Sequence, residues 1–204
     1  MLRNDSYSGW YRCHICVEGF ILRKKSHLSL AGYIVDVVDA DMIDHPLAFR
    51  FGSLEPDLVP TFITTKHRID LTFHKLEKKI NKVIDEYDKN KGITIGLSKD
   101  LGIITHYIAD YFTFPHNIEY PGTMTEHIHY EAQLKVDFRE FVQKMKEKHA
   151  HFQEVNMQSA DEICTFIRKC HEEYLHAVKS VENDCRYILQ ICAQVVGAIL
   201  HLLH

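Results

Sequence analysis

The sequence has no excess of basic charge. Its 24 Lys and Arg stand against 28 Asp and Glu, for a formal net charge of −4 and a pI near 6.4. The electrostatic footprint of a general nucleic-acid binder is therefore missing. No run alternates apolar and polar residues with period 2, so there is no signal for half-buried strands. No internal repeat or low-complexity segment is evident. The N-terminal stretch "MLRNDSYSGWYRCHICVEGFIL" lacks a clean apolar core followed by a small-residue cleavage site, and so does not read as a secretory signal. A cytoplasmic protein is expected on that basis. The most apolar segment, "ILQICAQVVGAILHLL" at 188–203, is short for a membrane span and carries polar residues. It reads as a buried core helix. Cysteine is sparse, six in all. Cys164, Cys170, Cys185 and Cys192 fall on helical patterns and read as buried thiols, while Cys13 and Cys16 form a single C-x-x-C with no partner pair, a weak signal for zinc or redox chemistry.

What the chain does have is helical periodicity. A length of 204 residues with 46% apolar and 25% charged content suits one globular domain. Ile69, Phe73, Leu76, Ile80, Val83 and Tyr87 keep a 3–4 spacing, predicting an amphipathic helix over 68–87 that Gly92 and its polar neighbours end. A second helix is expected from about Ser98 to Phe114, stopped by Pro115. Thr123 and Glu126 match a capping box, which starts a third helix near Met124 that runs to about Lys148. Ser159 and Glu162 repeat that box before a stripe through Ile163, Phe166, Ile167, Cys170, Tyr174 and Ala177. The last helix fills 182–203. An early one covers roughly 26–39, with Leu28, Ala31, Val35 and Val38 on one face. The segment 45–62, "HPLAFRFGSLEPDLVPTF", holds three of the five prolines and reads as a long connection, the kind of loop that often carries function. The fold class expected is all-α, a single-domain multi-helix bundle of six or seven helices over residues 1–204, with 1–25 as an N-terminal extension.

The abundant residue is histidine, 15 copies, and histidine is the commonest metal ligand. His106 and Asp110 lie four apart on a mostly apolar helix, so they share a face. His127 and Glu131 repeat the spacing on the next helix. Each pair offers one neutral nitrogen and one carboxylate oxygen, a donor set that suits zinc. His116 sits between the pairs, just past Pro115. Asp57 lies in the proline-rich segment, and His67 lies at the start of the helix that follows. Buried ionisable groups are costly unless paired or bound to something. Together these residues supply enough ligands for two metals.

The order Asp57, His67, "HYIAD" (106–110), His116 and "HIHYE" (127–131) resembles the zinc-dependent phospholipase C family, whose fold is shared by a group of zinc nucleases. "GSLEPDLVP" followed by "KHRID" is similar to that family's proline-rich loop and first zinc histidine. "THYIADYFTFPHN" is similar to its central motif, and "SHLSLAGYI" to its N-terminal helix with an early histidine ligand. The resemblance covers about 26–131. It implies a mostly helical fold around a zinc cluster, with one zinc on Asp57, His67, His106 and Asp110 and a second on His116, His127 and Glu131. It further implies that Asp110 bridges to a third zinc held by His27. Family members complete that third site with a processed N-terminal tryptophan, whereas here 26 residues precede His27 and Trp10 is not terminal. The implied activity is hydrolysis of a phospholipid or small phosphodiester by a zinc-activated water, with Asp57 orienting or deprotonating that water. Association with a membrane surface would follow, and nucleic acid is the less favoured substrate.

Two other readings compete. Glu126-x-x-His129 and Glu173-x-x-His176 match the motif of ferritin-like di-iron bundles, although that reading leaves His116 and "HYIAD" unexplained. A non-catalytic descendant would keep the fold and a structural zinc. An HD-type phosphohydrolase requires a His-Asp dipeptide, and the sequence contains none. His74, seven residues after His67, is a substitute ligand candidate, while His129 points to another face than His127.

Overall fold

The computed structural model describes residues 25–37, 43–58, 67–148 and 152–204. Cys13, Cys16, Trp10 and most of the N-terminal extension lie outside the described residues, as do Val38 and the end of the proline-rich segment. Among the described residues there is no strand, and the architecture is all-α. The helices are α1 (25–37), α2 (Pro46–Gly52), α3 (Glu55–Leu58), α4 (Ile69–Asp85), α5 (Ile95–Tyr111), α6 (Met124–Glu147), α7 (Ala160–His176) and α8 (Val181–Leu203), with a short 3-10 turn at Phe114–His116.

The spine is α5. Thr94 caps it by accepting from the Leu97 amide, and nearly every residue from Leu97 to Tyr111 is buried. Helices α2, α3, α4 and α8 pack around it. A helix covered on several sides should be apolar all round, and the exceptions that are buried, the acids Asp100 and Asp110 and the imidazole of His106, are the informative ones. Asp100 is answered by Lys79 and Lys82 of α4, each at 2.8 Å. Thr72 of α4 meets the Tyr111 hydroxyl at 3.1 Å. The remaining two exceptions belong to the candidate site.

The backbones of α2 and α5 meet where neither has a side chain. A methyl group built on Gly102 would overlap the Phe49 carbonyl oxygen, and one built on Gly52 would overlap the Lys99 carbonyl oxygen. This close approach brings the carbonyl of Ser53 against α5. The long connection expected over 45–62 is thus helical at 46–52 and 55–58. Pro46 falls in the first turn of α2, where a missing amide hydrogen costs nothing, so proline starts this segment's structure and does not exclude it.

Two other expectations shift. Helix α5 begins three residues earlier and ends at Tyr111, before Pro115, which sits inside the 3-10 turn. In α1 the buried face is His27, Leu30, Ala31 and Ile34, while Leu28 is 40% exposed. The histidine thus heads the apolar stripe at i, i+3, i+4 and i+7. The capping box of α6 is formed as expected, with Thr123 and Glu126 exchanging bonds. Ser159 caps α7, and Ser180 caps α8.

Helix α8 runs 23 residues, further than its apolar stretch at 188–203, and by length and composition it is long enough to cross a membrane. In the fold its apolar side chains, from Ile188 to Leu203, form part of the core. Cys164, Cys170, Cys185 and Cys192 are free and buried, as their helical pattern predicts.

Gly102→Ala is expected to destabilise the protein by at least about 1–3 kcal/mol, the range for overpacking a tight contact. Thermal unfolding checks it: a melting temperature equal to that of the wild type would show that α2 and α5 are not locked by backbone contact.

Candidate metal centre

Six segments deliver eight side chains to one place. His27 comes from α1, Asp57 from α3, His67 from the residue pair before α4, and His106 and Asp110 from adjacent turns of α5. His116 comes from the 3-10 turn, and His127 and Glu131 from adjacent turns of α6. All are buried except His127, which is half-buried. Glu131 heads the buried stripe of α6 that continues through Leu134, Phe138 and Val142. Every site residue expected from the sequence is therefore brought into the cluster.

Asp110 stands at its centre. One carboxylate oxygen, Oδ2, lies 2.9 Å from His67 Nδ1 and 3.3 Å from His106 Nε2. The other, Oδ1, lies 3.4 Å from His27 Nε2 and 3.5 Å from His116 Nδ1. His116 continues the chain of contacts, its Nε2 lying 3.1 Å from Glu131 Oε1, which is also 2.7 Å from His127 Nε2. Three donor sets result, each with all its donor atoms within 4.8 Å of one another: His67, His106 and Asp110; His116, His127 and Glu131; and His27, Asp57 and His106.

The ring of His106 is fixed by its far side. Its Nδ1 lies 2.9 Å from the Ser53 carbonyl oxygen, which can only accept. Nδ1 therefore carries the proton, and in the neutral ring Nε2 presents its lone pair to the cluster. A ligand histidine oriented through a backbone carbonyl is a common arrangement at metal sites. The rings of His27 and His106 stack at 4.1 Å, and the edge of Tyr107 packs against His67 and His106.

Charge favours a cation here. Burial opposes ionisation of Asp110, but the charge that His116 and His106 can carry overrides it and holds the carboxyl well below its usual range. Burial also pulls His106 down, yet the charges of Asp110 and Asp57 carry it above its ordinary value. His27 is pushed down, first by burial and then by His106. Three carboxylates in one buried cluster call for positive charge to balance them.

The donor atoms fit zinc on two grounds. Two donors on one tetrahedral zinc stand about 3.3–3.4 Å apart, given bonds of about 2.0–2.1 Å, and the separations above scatter around that value. The second ground is Asp57. It is 1% exposed, and neither of its oxygens makes a hydrogen bond. Its Oδ1 lies 3.8 Å from His106 Nε2 and 3.9 Å from His67 Nδ1, beyond hydrogen-bond reach. Burying a carboxylate this way costs several kcal/mol unless a cation answers it.

Residues that sequence patterns did not single out hold the cluster in place. Asn117 donates to the carbonyls of Tyr111 and Thr113 and accepts from His171 Nε2 at 2.7 Å. Burial pushes His171 down to about 4, so it is neutral near pH 7 and keeps this bond. Asp184 of α8 binds the chain just before His116. A cavity lined by Ser26, His27, Leu30, Leu134, Phe138 and Ile188 opens onto Asp110, His116 and Glu131. The competing histidines fall away. His74, Glu126, His129, Glu173 and His176 are all exposed, and Glu126 is taken up by the capping box, so no ferritin-like centre forms from them.

An all-helical fold that gathers three groups of histidine and carboxylate donors in one buried place is suited to holding metal ions. The family model for zinc dependent phospholipase C matches residues 26–183, and the chain belongs to that family. No curated protein and no solved structure matches it significantly.

Asp57→Asn separates the cost of burying that charge from its use in holding a cation. In chelator-treated protein the neutral isostere is expected to melt higher than the wild type, by about 2–4 °C for each kcal/mol relieved. In zinc-loaded protein the order should reverse. Calorimetry in both states checks this, and an unchanged order would mean that Asp57 does not face a cation.

Proposed function

We propose that this protein is a zinc-dependent phosphodiester hydrolase that cleaves a phospholipid or a related phosphodiester. The observation that carries the reading is Asp110, whose Oδ2 faces His67 and His106 of one donor set and whose Oδ1 faces His27 and His116 of the other two. Asp57, His67, His106 and Asp110 would hold one zinc, and His116, His127 and Glu131 a second. Asp110 would link both to a third at His27. Zinc bound there would supply Lewis acidity toward a phosphoryl oxygen and acidify water to a pKa of about 7.

The side chains then have distinct tasks. Asp57 is the one carboxylate of the cluster with both oxygens outside any hydrogen bond, which suits it to orient the attacking water and accept its proton. Water oxygen adds to phosphorus as Asp57 takes its proton, the bond from phosphorus to the leaving alkoxide breaks, and that oxygen takes up the proton that Asp57 gives back, directly or through solvent. With a phospholipid the products are diacylglycerol and the phosphorylated headgroup. His106, held by Ser53, keeps the donor geometry rigid, so little reorganisation is needed at the moment of reaction.

Leu30, Leu134, Phe138 and Ile188 put an apolar wall beside the donor atoms, which supports an amphiphilic substrate over a free nucleotide. The absence of a basic balance in the chain points the same way. Action at a membrane surface follows from that substrate. Among the described residues the buried apolar side chains form one core, which supports reading residues 25–204 as parts of one domain.

Zinc content and hydrolysis test the reading together. Wild-type protein is expected to bind two or more zinc ions per chain and to release phosphocholine from phosphatidylcholine or nitrophenol from bis-nitrophenyl phosphate. Asp110→Asn should lose zinc and lower the rate by more than about 100-fold, beyond what loss of an outer partner costs. A wild type that stays zinc-free after reconstitution would refute the reading.

A further inference from the structure

The second donor set, His116, His127 and Glu131, is carried by a short turn and by a helix that is largely exposed on its outer face. Neither is held by α5 in the way that His106 and Asp110 are. The element that ties the two together is α8, which contributes no donor of its own.

Asp184 lies in the first turn of α8 and is completely buried. Its Oδ2 accepts from the Phe114 backbone amide at 2.9 Å and from the Tyr130 hydroxyl at 2.8 Å. Its Oδ1 accepts from the Tyr174 hydroxyl at 2.7 Å. Phe114 stands two residues before His116, and Tyr130 is the neighbour of Glu131. One carboxylate thus joins the turn carrying His116, the helix carrying His127 and Glu131, and α7. The bonds are not needed to start α8, because Ser180 already caps it. They reach no carrier of the first donor set. Burial pushes the Asp184 carboxyl up to about 6, so the position is a costly one for an acid whose only task is packing.

From this we infer that Asp184 is a positioning residue for the second donor set, fixing the separation of His116 from Glu131 so that zinc finds the three donors already assembled. The inference rests on the reading that this set holds zinc. It goes beyond it by assigning a role to the α7–α8 half of the molecule, which supplies no ligand. Outer partners that orient ligands typically change metal affinity by about 10–100-fold when removed.

Zinc titration against a chromophoric chelator tests it, with the holoprotein as reference. Glu131→Gln first identifies which binding step belongs to the second set. Asp184→Asn is then expected to weaken that step by about 10–100-fold and leave the other unchanged. Tyr130→Phe, which keeps the ring and the fold, should weaken the same step to a smaller degree. In cobalt-substituted protein both variants should alter the visible spectrum of the ion at that step only. Ile163→Ala, a core truncation in α7 outside this network, should lower the melting temperature without moving either affinity. Variants at Asp184 and Tyr130 that melt lower yet bind zinc as tightly as the wild type would overturn the inference, as would equal weakening at every step. A wild type without a Glu131-dependent step would remove the zinc reading and the inference together, and the first titration shows that before any Asp184 variant is compared.

Discussion

Everything in this molecule is arranged around one buried carboxylate shared by four imidazoles. Asp110 faces His67 and His106 with one oxygen and His27 and His116 with the other. A group so placed is too costly to bury alone, and Asp57 and Glu131 add two more negative charges nearby. Three carboxylates call for positive charge, which protonated histidines or bound metal ions can supply. The rest of the fold can be understood as the set of constraints that keep these groups within reach of one another.

Those constraints come from two halves. The N-terminal half works by close packing. Gly52 and Gly102 let α2 lie against α5, which places the Ser53 carbonyl on His106 and carries Asp57 in on the following turn. His27 arrives at the head of the apolar stripe of α1. The C-terminal half works by hydrogen bonding. Asn117 and His171 hold the chain after His116, and Asp184 holds the chain before it. The candidate ligands therefore rest on elements tied to one another by close packing and hydrogen bonds around the cluster, which favours a site that reorganises little when it binds.

Much of the site was legible in the sequence because its chemistry follows helical spacing. His106 with Asp110 and His127 with Glu131 stand four apart, and the period of 3.6 puts each pair on one face. The family match over residues 26–183 agrees with the resemblance carried by those motifs. Less legible were features set by tertiary contact. Proline masked the short helices α2 and α3, since a proline in a first turn looks the same in sequence as one in a loop. The buried face of α1 keeps Ala31 but is centred on His27, Leu30 and Ile34 in place of Leu28, because a count of apolar residues passes over a buried histidine. Asp184 gave no signal at all: an acidic residue in a first helical turn is ordinary, and its three partners lie 10, 54 and 70 residues away along the chain. His171 had no companion spacing for the same reason.

Zinc held around Asp110 would be visible directly. The most direct measurement is diffraction at the zinc absorption edge from crystals grown with zinc. The account predicts one anomalous peak among Asp57, His67, His106 and Asp110, and another among His116, His127 and Glu131. Peaks confined to surface histidines such as His74 or His129, with none beside Asp110, would contradict it.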